Sequence, residues 1–167
     1  MVYLDSNTNS ISVHCEQKNE IIKFTRKLLD INREKKSVQL VSLSDQGSLR
    51  LNQNALDILR NIEKPVAVLS ICGPSRTGKS YFLSMMLGLK DIFQTSDSFE
   101  ACTSGIWMAT TVLECDKFVI VFLDTEGTDH VTQVGDIINY LVFVTLLSSY
   151  LIYNSKGMQG SDLDKMR

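Results

Sequence analysis

What the chain lacks narrows it first. No two of its four cysteines, Cys15, Cys72, Cys102 and Cys115, stand in a C-x-x-C spacing. That argues against a metal site and fits a reduced, cytoplasmic setting. Cys72 and Cys115 sit inside apolar runs, where cysteine behaves as a small buried hydrophobe. Residues 1–12 have neither the basic start nor the apolar stretch of a signal peptide. The most hydrophobic region, residues 137–152, is interrupted by Asn139, Thr145, Ser148 and Ser149. It is also shorter than the roughly 20 residues a spanning helix needs. No prenylation box closes the chain at Asp164-Lys165-Met166-Arg167. A net charge of −2 gives little attraction for nucleic acid or an anionic membrane. No internal repeat is visible, and 167 residues suit one domain with a substantial core.

What is present is a phosphate-loop pattern. Gly73-Pro74-Ser75-Arg76-Thr77-Gly78-Lys79-Ser80 has two glycines separated by four residues and closes on Lys-Ser. In such a loop the backbone N–H groups converge on phosphate oxygens, and the following helix N-terminus adds a positive dipole end. Gly73 and Gly78 suit a backbone that passes close to a ligand. Lys79 would place its ammonium between the β- and γ-phosphates, and Ser80 would offer a hydroxyl to Mg²⁺. The flanks agree with the pattern. Pro65-Val66-Ala67-Val68-Leu69-Ser70-Ile71-Cys72 reads as a buried strand running into the loop. Tyr81-Phe82-Leu83-Ser84-Met85-Met86-Leu87 reads as a short helix stopped by Gly88.

Along the rest of the chain, residues 1–19 are polar and predict a loose N-terminal arm. Ile21, Phe24, Leu28 and Ile31 have helical spacing, so residues 20–34 predict an amphipathic helix that docks on the domain, binds a partner or belongs to an upstream region. Ser37-Val38-Gln39-Leu40-Val41-Ser42-Leu43 alternates like a half-buried strand, Asp45-Gln46-Gly47-Ser48 supplies a turn, and Leu49-Arg50-Leu51 resumes extension. Asn52 is placed to cap a helix through Ala55, Leu56, Ile58 and Leu59 that ends before Pro65. Residues 90–104 predict a long loop, which in a compact domain points to function. Two strands follow, Thr110 to Cys115 and Lys117 to Asp124, with a tight turn at Asp116. A helix from Val134 to Leu147 and a strand from Tyr150 to Asn154 complete the pattern. The alternation implies an α/β fold: a three-layer, Ras-like P-loop NTPase with a mainly parallel sheet, incomplete on its C-terminal side. The division expected is an arm with a possible amphipathic helix over residues 1–36 and a phosphate-loop domain over residues 37–167.

The second strand ends in Asp124-Thr125-Glu126-Gly127. An Asp at the C-terminal end of a hydrophobic strand lies beside a phosphate loop and can hold Mg²⁺, while Gly127 would offer its N–H to a γ-phosphate. Thr103 is a candidate for a second Mg²⁺ hydroxyl, although spacing favours it no more than Thr95 or Thr110. Arg76, inside the loop, is either solvent-facing or an arginine finger supplied in cis, and the residues alone support both equally. A small phosphate-loop kinase is disfavoured, because only Arg167 lies beyond Arg76 to build an arginine-bearing lid.

Three stretches carry a resemblance: Arg76-Thr77-Gly78-Lys79-Ser80-Tyr81, Thr103-Ser104-Gly105-Ile106-Trp107-Met108 and Leu123-Asp124-Thr125-Glu126-Gly127. With Leu146-Leu147-Ser148-Ser149 and Tyr153-Asn154-Ser155, they resemble the G domain of guanylate-binding proteins. These are large, dynamin-related, interferon-inducible-type GTPases with atlastins as distant relatives, and the similarity runs over roughly residues 38–167. The resemblance implies Mg²⁺-dependent hydrolysis of the GTP β–γ bond, with GTP as substrate. It implies catalytic roles for Arg76 as internal arginine finger, Lys79, and Glu126 in organising the attacking water. It implies nucleotide contacts from Gly73, Pro74, Ser75, Arg76, Thr77, Gly78, Lys79, Ser80, Asp124, Thr125, Glu126 and Gly127. Ser80, Thr103 and Asp124 would be the magnesium ligands. It further implies homo- or heterodimers through the G-domain face, with membrane contact only in a full-length form.

This chain departs from the family in having Ser75 where the family usually has Tyr and Ala101 where it typically has Ser. It also stops at Arg167, before the family's Arg-Asp guanine-reading motif and helical domain. The competing expectation is therefore a catalytically weak, truncated module that dimerises with full-length relatives and modulates them.

Overall fold

The computed structural model describes residues 2–4, 10–15, 20–29, 36–43, 48–93, 105–125 and 134–155. The centre of the sheet is β6 (Val66–Cys72), a run of Val, Leu and Ile that packs well on a pleated surface. It pairs in parallel with β9 (Val119–Thr125) on one side and with β10 (Tyr150–Tyr153) on the other. Along its other edge β9 meets two antiparallel strands in succession. β7 (Ile106–Ala109) pairs with its C-terminal half, Ile106 opposite Thr125, and β8 (Thr111–Glu114) with its N-terminal half, Glu114 opposite Val119. Between them Thr110 is pinched out of the ladder, its N–H and hydroxyl donating to the Lys36 carbonyl at 3.0 and 2.9 Å.

Beyond that pinch the sheet forks. β4 (Ser37–Leu43) lies antiparallel on β7 through a bulge between Gln39 and Val41, and β5 (Leu49–Leu51) lies on β4. β3 (Glu20–Leu28) lies antiparallel on β8, followed outward by β2 (Ser10–Cys15) and β1 (Val2–Leu4).

Three expectations are corrected here, the first being the loose arm over residues 1–19, where Val2–Leu4 and Ser10–Cys15 instead pair as strands of the sheet. The mainly parallel, three-layer Ras-like sheet does not form, because seven of the nine pairings among the described residues are antiparallel. Strands that follow one another through short connections pair antiparallel, whereas a parallel pair needs a long crossover. Among the described residues, three helices of 8, 8 and 14 residues against ten strands do not make continuous helical layers. The third correction concerns residues 20–28, which form β3 and not an amphipathic helix. Phe24 is buried between exposed Lys23 and Thr25, the two-residue period of a strand, and pairing with β8 overrides the helical spacing.

The helices themselves follow their local signals. α1 (Gln53–Arg60) is capped by Asn52, whose Oδ1 accepts the Asn54 N–H at 2.9 Å. α2 (Lys79–Met86) ends on Gly88 at φ +63, with Gly88 N–H donating to Met85 O and Leu89 N–H to Ser84 O. This pair of bonds is the Schellman arrangement that a left-handed glycine permits. α3 (Val134–Leu147) buries Val144 and hands over to β10 through Ser148, whose hydroxyl contacts Val144 O and Ser70 Oγ.

Alternation along β9 feeds two cores. Val119, Val121 and Leu123 join Ala55 and Ile58 of α1 and Val144 of α3, while Phe122 joins Ile71 of β6, Leu83 of α2 and its cap Leu87. Among the described residues no helix is long and apolar enough to cross a membrane.

Candidate functional site

β6 and β9 run parallel, so Cys72 and Thr125 end at the same edge of the sheet, and the phosphate loop leaves from there. The loop has an unusual backbone. Gly73, Arg76 and Gly78 all have positive φ, at +134°, +58° and +84°. The two glycines are needed for different reasons. A Cβ on Gly73 would stand 2.2 Å from the backbone oxygen of Asn154, so β10's end, not only a ligand, forbids a side chain there. At Gly78 nothing lies within 4 Å of such a Cβ, and conformation alone selects glycine. Arg76 adopts the left-handed region without being glycine, which costs about 1 kcal/mol.

Side chains from three elements converge on the loop. Lys79 is buried and donates from Nζ to Pro74 O at 2.8 Å, and Thr77 Oγ1 donates to the same carbonyl at 3.0 Å. Gly78 caps α2 with no side-chain bond, and the helix's first turn has no acidic residue to occupy its N–H groups.

From β9, Asp124 is fully buried, and its Oδ2 accepts the Ser80 hydroxyl at 2.5 Å. Burial pushes the Asp124 carboxyl up to about 6, against the opposing pull of the Ser80 hydrogen bond, the Lys79 charge and the Thr125 amide. The other oxygen, Oδ1, is buried with no hydrogen-bond partner among the described residues. A buried carboxylate oxygen of this kind is costly unless something completes it. Together with the Ser80 hydroxyl it is a hard oxygen pair that fits Mg²⁺. Among the described residues no group of three or more His, Cys, Asp or Glu could hold a metal by itself.

The structure thus brings together Gly73 to Ser80, Asp124 and Thr125. Thr125 Oγ1 donates to Ile71 O at 2.9 Å, tying β9 to β6 beside the loop. Thr103, Ala101, Glu126 and Gly127 lie outside the described residues, as does Thr95. Thr110 is fully buried, and its hydroxyl belongs to the pinch with Lys36.

Asn154 has a place that its residue type and local spacing do not announce. Its Nδ2 donates to Thr77 O at 3.0 Å and its N–H to Cys72 O at 2.8 Å, so it grips the loop at both ends. Only the resemblance of the stretch around it had marked it out.

Comparison with known proteins accords with this geometry. The sequence profile of "Guanylate-binding protein, N-terminal domain" matches residues 46–167. Guanylate-binding protein 7 of Mus musculus is 38% identical over 116 residues, covering 67% of this chain and 18% of the relative. Guanylate-binding protein 1 of Chlorocebus aethiops is 40% identical over 115 residues, 66% of this chain and 19% of the relative. Guanylate-binding protein 2 of Homo sapiens is 38% identical over 116 residues, 67% and 20%. The chain belongs to the guanylate-binding protein family, in its N-terminal domain. It spans about a fifth of the length of the curated relatives it matches.

Proposed function

We propose that this domain binds Mg²⁺·GTP and hydrolyses the β–γ phosphate bond. The observation that carries the proposal is the Ser80–Asp124 pair, with its unpartnered buried oxygen, set against a positive-φ phosphate loop. Phosphate is favoured by the loop amides, the open N-terminus of α2 and the Lys79 ammonium. On binding, Lys79 Nζ exchanges the Pro74 carbonyl for phosphate oxygens. Ser80 and Asp124 would hold Mg²⁺, with Thr103 as a third ligand. The ion supplies neutralisation of the charge that develops on the phosphoryl group.

Arg76 is exposed at the loop's tip, a position from which it can serve as an internal arginine finger, and Glu126 orients the attacking water. Gly73 to Thr77, Thr125 and Gly127 complete the contacts. The choice of guanine rests on the relatives' name. Pairing of two G-domain faces follows from the family resemblance. The scattered cysteines support a cytoplasmic location. A second reading, a weakly catalytic module that pairs with longer relatives, is favoured by Ala101, which lacks a hydroxyl to position water. Single-turnover hydrolysis separates the two: phosphate release proportional to sites refutes the inert module.

Calorimetry of non-hydrolysable GTP and ATP analogues, with and without Mg²⁺, tests the site. The expected result is Mg²⁺-dependent preference for the GTP analogue, weakened about 100-fold or more in Lys79→Ala. Unchanged affinity in that variant would overturn the proposal.

A further inference from the structure

α2, which carries Lys79 and Ser80, has only eight residues and no basic residue in its last turn. Such a helix is too short to hold itself together, and its C-terminal carbonyls lack the cation that usually complements them. The glycine cap satisfies Ser84 O and Met85 O. The carbonyls of Leu87 and Gly88, the cap and the residue after it, are taken from outside. Arg26 of β3 donates from Nη1 to Leu87 O at 3.2 Å and to Gly88 O at 2.9 Å.

The same strand holds the helix in a second way. Phe24 is buried in the cluster that contains Leu83 and Leu87, edge-on to Phe118 at 6.0 Å. Just downstream, Lys36 Nζ donates to Lys90 O at 3.1 Å. All three residues precede residue 46, where the family match begins.

We propose that Arg26 is a positioning residue for the nucleotide site, bracing α2 from its C-terminal end so that the first turn stays formed at the phosphate loop. Fraying of one turn in a two-turn helix reaches the turn that holds Lys79 and Ser80, so a missing brace is felt at the loop. The inference rests on the nucleotide reading above and adds to it a contribution from outside the matched region.

The test uses the full chain with Arg26→Ala, Arg26→Lys and, should the alanine variant not fold, Arg26→Gln, which keeps part of the stem. Affinity for the Mg²⁺·GTP analogue and amide hydrogen exchange are measured on each. Arg26→Ala should weaken binding about fivefold and speed exchange of Ser84 to Leu89 about fivefold, with α1 unchanged. Arg26→Lys, which keeps the cation, should restore both to within about twofold. Native affinity and native α2 exchange in Arg26→Ala overturn the proposal. So does faster exchange spread equally over α1 and α3, which makes Arg26 a residue of general stability. If Lys79→Ala binds as tightly as the native chain, the nucleotide reading fails by itself. Exchange then still decides whether Arg26 braces α2.

Discussion

The sheet has two characters on the two sides of β9. On one side β6 and β10 run parallel to it, and on the other β7 and β8 run antiparallel and carry the arms β4–β5 and β3–β2–β1. The described candidate site residues come from β9, the loop that leaves β6 and the start of α2, with Asn154 following β10. Parallel strands end at one edge, so a loop, a carboxylate and an amide can meet there. Antiparallel strands alternate their ends and cannot concentrate them this way. Their contribution is support: Arg26, Phe24 and Lys36 hold α2 and the segment after it from outside.

The largest effect that would sharpen this contrast is expected at Gly73. Gly73→Ala forces a Cβ against the Asn154 carbonyl at positive φ and should cost at least about 4 kcal/mol in chemical denaturation. Gly78→Ala has the strain without the clash and should cost about 1 kcal/mol. Equal losses at the two glycines would break the account of the loop.

On the antiparallel side, Phe24→Ala empties a buried site shared with Leu83 and Leu87 and should cost about 3 kcal/mol. A loss below about 1 kcal/mol would mean that β3 is not integral to the core. Asn154→Ala should leave the melting temperature nearly unchanged yet weaken the Mg²⁺·GTP analogue about tenfold by freeing Thr77 O.

The smallest effect belongs to Glu114, held by Lys64 at 2.6 Å and Lys27 at 3.1 Å. The Lys64 hydrogen bond, then that of Lys27, holds its carboxyl below the usual Glu range. Its contribution is therefore full above that range and is lost as pH falls through the lower, folded value. Glu114→Gln should lower the melting temperature by about 2 °C at neutral pH and low salt, and by nothing below the folded value.

Much of the site was legible because its signals are local. The apolar run of β6, the glycines, Lys79, Ser80 and Asp124 each declare themselves within a few residues, as do the Asn52 cap and the Gly88 stop. What could not be read was set by partners distant in sequence. The apolar spacing of residues 20–28 fits a helix, and pairing with β8 overrides it. The antiparallel majority depends on which strands meet, and periodicity does not encode that. Asn154 and Arg26 are ordinary polar residues until the fold brings them to partners 77 and 61 positions away, Thr77 and Leu87.

The pinch at Thr110 divides the labour of β9. The arm ending in β5 is joined through β7 to the half of β9 that contains Asp124, whereas the arm ending in β1 is joined through β8 to Val119 and Ile120. A pull on one arm loads the carboxylate directly. A pull on the other reaches the opposite end of the strand and, through Arg26, the far end of the loop's helix. The two arms therefore join β9 at opposite ends, one beside Asp124 and the other beside Val119, so strain in either arm enters that strand at a different end.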